Sequence, residues 1–300
     1  MDYKVTQKIL NHAQEFWSYD DKAYWKYTGK YWQLIFLGLF LADGQDSRVI
    51  PGVESILNHR KWVIASGAQC LTANILKASI QLGYGDHPAV VEETEALARR
   101  ILNDQGIKCT ALGYSLLSRC HMALPKLLLC FAEIPVEKRS SAVKNAIKWI
   151  SKELINKHVY RYVPGTNKAW QKVLSGAPKR ADLPEGQTVK GWIKGRRTSF
   201  LETQGLASPS PKQGWLKFGF PLHYNSDILE AMYALALVGT PMHAHLHDPL
   251  QVIRNKKTPE GHWKLENSLN GKMWADVEEK GKPSKWITYF AIFVLNYFTI

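Results

Sequence analysis

The chain has 300 residues, 45% of them hydrophobic and 22% charged, with a formal net charge of +13. These proportions exclude a disordered chain and a small stapled scaffold, and they supply apolar surface for one large core or two modest ones. Four cysteines, Cys70, Cys109, Cys120 and Cys130, are too few and too scattered for a disulfide framework, so thiols or ligands are expected. No basic and apolar leader opens the sequence, which gives the expectation of a cytoplasmic protein.

The first strong element in chain order is "YWQLIFLGLFLA" at 31–42. Crossing a bilayer takes roughly 20 apolar residues, so this run and the later "WITYFAIFVLNYFTI" at 286–300 are predicted as buried helices. A Gly/Asp turn near Gly44 follows, then a second helix ending in "VESIL". Leu71, Ile75, Ala78 and Leu82 lie at helical spacing and stop at "LGYGD", after which Pro88 starts another run through Val90, Leu97 and Ile101. The unit recurs in "HMALPKLLLCFAEIPVEKRSSAVKNAIKWI", with Val143, Ile147, Ile150 and Leu154 on one face, and in "SDILEAMYALALVGTPMHAHLHDPLQVI". A last first-helix, "SKWITYFAIFVLNYF", aligns Trp286, Phe290, Phe293 and Tyr297. Helical hairpins repeating at this length predict an all-α single domain over 1–300, either a solenoid or a closed α/α ring.

Residues 157–217 interrupt the repeat. They hold 12 Lys/Arg against 3 Asp/Glu, together with Pro164, Pro178, Pro184, Pro209 and Pro211. The segment reads as an irregular basic insertion. Trp170, Trp192 and Trp215 among its charges would suit phosphate gripping and base stacking, a diphosphate, or an anionic membrane surface. A solvated loop outweighs each of these, and nucleic acid is the disfavoured partner.

The segments "CLTANILKASIQLGYGDHPAV", "CHMALPKLLLCFAEIPVEKRSSAVKNAI", "LKFGFPLHYNSDILEAM" and "GHWKLEN…GKMWADVEEKGKPSKWITYFAI" span most of 30–300 in order. Through them the chain resembles the prenyltransferase and squalene-cyclase-like superfamily of α/α toroids, and more narrowly a bacterial group of terpenoid cyclase-like proteins of about this length. The resemblance implies that the first helix of each hairpin lines the inside of a ring and the second covers it. It further implies a central aromatic cavity for an isoprenoid or other apolar small molecule, opening at one rim.

The acidic motifs of that superfamily are missing. No Asp-x-Asp-Asp run is present to protonate an alkene, Asp20-Asp21 lacks a third carboxylate, and no Asp stands two residues before a Cys as in zinc-binding prenyltransferases. Four other groups stand at inner-helix starts. Cys70, Cys109, Cys120 and His121 match Cys and Cys-His positions of the resembling group, and three thiolates with one imidazole suit tetrahedral zinc. The alternative is that buried cysteines pack as small hydrophobes, as expected for Cys130 within "LLLCF".

Asp227 opens the fourth inner helix beside His223 and Tyr224. Among aromatic groups a buried carboxyl would keep its proton and donate it, with Tyr224 and Cys120-His121 as candidate partners; alternatively Asp227 caps the helix. The turn-rich segment 258–286 brings Trp263, Glu266, Trp274, Asp276 and Trp286 together as a candidate cavity wall, or as the fastening that closes the fold. "HAHLHD" at 243–248 is expected at the surface. Two functions therefore stand: an enzyme acting on an apolar substrate with cation–π support from Trp and Tyr, and a non-catalytic ring that binds a lipid, peptide or anionic partner.

Overall fold

The computed structural model describes residues 3–18, 25–59, 69–103, 120–162, 175–193, 195–196, 199, 210–222 and 225–299. Two short N-terminal helices, α1 (Tyr3–Leu10) and α2 (Ala13–Trp17), precede four helical hairpins and a final helix. The hairpins pair α3 (Lys30–Leu39) with α4 (Ile50–His59), α5 (Gln69–Ser79) with α6 (Pro88–Asn103), α7 (Leu124–Ala132) with α8 (Ser141–Asn156), and α9 (Ile228–Leu237) with α10 (His247–Asn255). The last helix is α11 (Lys285–Thr299). All four hairpins and the unpaired last helix follow the spacing read in the sequence.

The helices form two rows. α3, α5, α7, α9 and α11 pack successively side by side, while α4, α6, α8 and α10 cover them, with α6 and α8 in extensive mutual contact. Composition explains the division. In α5 every residue except Lys77 is buried, and in α7 every residue from Leu124 to Phe131 is. A helix apolar all round must be enclosed. The covering helices are amphipathic instead: α8 buries Val143, Ala146, Ile150 and Leu154 and leaves its lysines outside.

Backbone chemistry fixes the ends of these helices. Ser140 accepts the Val143 N–H at the start of α8, Ser284 accepts the Ile287 N–H at the start of α11, and Asp227 accepts the Glu230 N–H at the start of α9. Gly239, at φ +77°, ends α9 in the left-handed conformation that glycine adopts at no steric cost. Gly38 has a different role. A Cβ there would lie 2.6 Å from the Ala78 Cα, so its absence lets α3 lie close against α5.

One continuous cluster of buried residues runs from Val5 to Phe298, including Trp32, Phe36, Phe131 and Trp263. The basic insertion leaves and re-enters this body at one place. β1 (Arg161–Tyr162) pairs antiparallel with β2 (Ser210–Pro211), so two residues at each end staple the excursion together. Trp215 is buried and stacks on His121 with ring centroids 5.2 Å apart, which removes it from the expected contact arm. Trp170 lies outside the described residues. Among the described residues no helix is long and apolar enough to cross a membrane.

Residues 258–286 act as a fastening. Trp263 donates its indole N–H to the Ile253 carbonyl of α10 and its backbone N–H to Thr288 of α11. Gly219 and Asn267 form a parallel bridge, and Lys264 and Pro283 an antiparallel one. Trp274 donates to the Thr28 carbonyl and stacks on His12 at 4.4 Å, joining this segment to the N-terminal helices.

Candidate functional site

The row of α3, α5, α7, α9 and α11 borders a cavity. Its apolar wall includes Ile35 and Leu39 from α3, Leu129 from α7, Phe220 from the segment before α9, and Phe290 from α11. The cavity holds about 660 Å³ of empty space out to its mouth, of which about 70 Å³ admits the centre of a water molecule. It is therefore a narrow slot. From the aromatic stripe on α11 Phe290 reaches it, 4.6 Å from Tyr233, while Trp286 stacks on Phe220 at 4.6 Å from behind. The fully buried stripe of α11 is Ile287, Ala291, Val294 and Phe298, one position along from the aromatic one.

The polar wall carries Asn74, Lys77, Gln81, Asp227, Glu230 and Tyr233. Asp227 is 2% exposed. Its Oδ1 accepts the Glu230 N–H at 2.8 Å, and its Oδ2 accepts the Gly219 N–H at 2.9 Å. Burial, reinforced by the Glu230 carboxylate, pushes its pKa up to about 7, while those two N–H groups and Lys126 pull the other way. Asp227 thus caps its helix and also presents to the slot an acid that holds its proton close to neutral pH. The capping expected of Asp227 is observed.

Lys126 is fully buried and bound to Glu230. Glu230 Oε2 is buried without a hydrogen-bond partner among the described residues. On the other side, Gln81 donates to Glu133 at 2.7 Å, and burial raises the Glu133 pKa. Burial lowers that of Lys77, with Lys126 acting in the same direction and Glu133 and Glu230 opposing. Burial also raises the Tyr233 phenol and the Cys130 thiol above their usual ranges, consistent with Cys130 as a core residue.

The sequence-predicted residues divide sharply. Asp227 lines the slot, and Trp286 supports it through Phe220. Trp263 is buried in the fastening, Glu266 is paired with Lys256 at 2.6 Å and accepts the Phe218 N–H, Asp276 accepts the Gly271 N–H, and Trp274 holds the N-terminal helices. These four do not line the slot. Tyr224, His223 and Cys109 lie outside the described residues, as do Asp20 and Asp21.

His121 also lies elsewhere. Its Nε2 is 2.6 Å from the Val159 carbonyl, its ring stacks on Trp215, and burial drops its pKa to about 3. The starts of α3, α5, α7, α9 and α11 do not all meet at the slot. The slot takes the first turns of α9 and α11 but the later halves of α3, α5 and α7, so Cys120 and His121 fall outside its lining. Among the described residues no group of three His, Cys, Asp or Glu side chains can hold a metal ion, so Cys70, Cys120 and His121 do not share one. The "HAHLHD" histidines sit at the surface, where His245 stacks on His158 at 4.1 Å and Asp248 binds Arg161 at 3.0 Å.

Lys77, Lys126, Glu133 and Glu230 went unnoticed in the sequence. Their signal is a charge inside an apolar inner helix, as in "NILKASI" and "ALPKLLLC". A charged residue on an enclosed helix requires either a partner or a cavity. No protein-family model, no curated protein and no solved structure matches this chain.

Proposed function

We propose that the double row closes into an α/α ring whose central slot receives an apolar small molecule, and that Asp227 transfers a proton to or from it. The observation that carries this reading is the position of Asp227: buried among aromatic and aliphatic side chains, on the slot wall, with a pKa raised to about 7. General acid–base work is most effective when the pKa lies near the working pH. The hydroxyl hydrogen of the neutral acid has to point away from the two backbone amides that its oxygens already accept. Resemblance to terpenoid cyclases and prenyltransferases makes isoprenoids the first class to test, and Phe220, Tyr233 and Phe290 supply the rings that would stabilise a developing cation, with Trp286 stacked behind Phe220. Lys212, Lys217 and Lys280 border a second open depression, which shares Leu222 with the slot and suits an anionic group or membrane surface.

The test is a product screen with isoprenoid alcohols and diphosphates. Wild-type protein is expected to convert at least one, and Asp227→Asn, confirmed folded by circular dichroism, to convert none. Asn at this position loses one acceptor and sets an amide N–H against a backbone N–H, so the folding control is required. One observation favours a receptor over an enzyme, namely that both Asp227 oxygens are engaged by backbone. Binding without conversion by the wild type, unchanged in a folded Asp227→Asn variant, would decide for that receptor.

A further inference from the structure

Lys77 is the one residue of α5 that is not buried, and it lies on the slot wall between Asn74 and Gln81. Among the described residues its ammonium makes no hydrogen bond or ion pair. The neighbouring charges are differently placed: Glu230 on the wall is bound to Lys126 behind it, and Glu133, also behind the wall, accepts from Gln81. An amine that faces an apolar slot without a partner has a chemical use that a paired one lacks.

We propose that Lys77 is a nucleophile that forms an imine with the carbonyl carbon of an apolar aldehyde or ketone held in the slot. The environment is of the kind that activates a lysine, being poor in water and next to a second fixed cation, Lys126. Burial is the largest influence on its protonation and lowers its pKa; Lys126 adds to this, while Glu133, Glu230 and the Cys130 thiol oppose it. A neutral carbonyl suits the charge balance better than an anion. With Asp227 protonated and Lys77 present as the free amine, Lys126 stands against two glutamates, and a carboxylate or diphosphate would add to the negative charge of Glu133 and Glu230.

The chemistry balances within the slot. The Lys77 nitrogen lone pair forms the C–N bond, the carbonyl π pair moves to oxygen, and a proton passes from nitrogen to that oxygen to give a carbinolamine. Asp227 then protonates the hydroxyl group, the C–O bond breaks with loss of water, and the nitrogen lone pair forms C=N. A protonated imine and an Asp227 carboxylate remain, so the net charge of the site is unchanged. No oxidant or metal is consumed.

This inference rests on the reading of the slot as a site for an apolar small molecule, and the experiment separates the two. Folded protein is incubated with citronellal and sodium cyanoborohydride, which reduces the imine to a stable secondary amine, and the adduct is located by peptide mass mapping. In parallel, thermal unfolding is followed with citronellol, which has the same carbon skeleton and no carbonyl. The expected result is one dominant adduct per chain at Lys77, diminished by competing citronellol and lost in Lys77→Met. Adducts spread over the exposed lysines with none favoured at Lys77, together with stabilisation by citronellol, would overturn the imine and leave the slot reading standing. Neither a Lys77 adduct nor stabilisation would overturn both.

Discussion

Two buried groups give the protein opposite responses to pH. The Asp227 pKa rises from 3.8 to about 7 on folding, so between those values the folded state binds more protons than the unfolded one. Its contribution to stability is full below pH 3.8 and is lost as pH rises toward 7. His121 drops from 6.5 to about 3, so the folded state binds fewer protons and stability is lost as pH falls through that window. Asp227→Asn removes only the first effect. The stability difference between wild type and variant, measured by urea unfolding, is therefore expected to shrink as pH rises from about 4 to about 7; a constant difference would show that Asp227 does not titrate as described. The Lys126–Glu230 pair makes a second expectation. Glu230→Gln leaves a fully buried ammonium without its counter-charge and should cost about 3–5 kcal/mol, whereas Lys126→Met with Glu230→Leu should be close to neutral. Equal losses in the single and double variants would contradict this.

At the scale of the elements, apolar periodicity was informative because burial dictates it. Leu71, Ile75, Ala78 and Leu82 are all buried, and helix starts fall at Pro88, near Asp227 and near Ser284 as the capping residues indicate. The site was less legible. Trp263 and Trp274 attract notice as a tryptophan-rich cluster, but each spends its indole N–H on a backbone carbonyl of a neighbouring segment, Ile253 and Thr28, and composition alone does not say whether a tryptophan faces ligand or protein. Register was the other obstacle: inner helices enter the slot at different heights, so residues at equivalent repeat positions, such as His121 and Asp227, have different surroundings. The close contact of α3 with α5 offers a test at this scale. Gly38→Ala places a Cβ 2.6 Å from the Ala78 Cα, a backbone atom that cannot swing aside. Overpacking of this kind costs about 1–3 kcal/mol, and an unchanged melting temperature would mean that the two helices are free to separate.

For the whole molecule, two features stand out: a continuous apolar core and a slot beside the row of α3, α5, α7, α9 and α11 at which several charges are largely kept from water. Ordinary stability does not require Lys77, Glu230 and Asp227 to meet on the slot wall, with Lys126 bound to Glu230 and Glu133 to Gln81 behind it, since buried ion pairs are seldom better than well-packed apolar residues. Their position beside Phe220, Tyr233 and Phe290 is what supports the proton transfer proposed for the slot. The claim on which the rest depends is that Asp227 remains a neutral acid near pH 7. Carbon-13 NMR of the aspartate side-chain carboxyls, with the Asp227 resonance assigned by its loss in Asp227→Asn, measures this directly. The predicted result is a titration midpoint near 7; a midpoint at or below the ordinary 3.8 of an aspartate would mean that the capping N–H groups dominate, and that the slot holds a carboxylate with no proton to give.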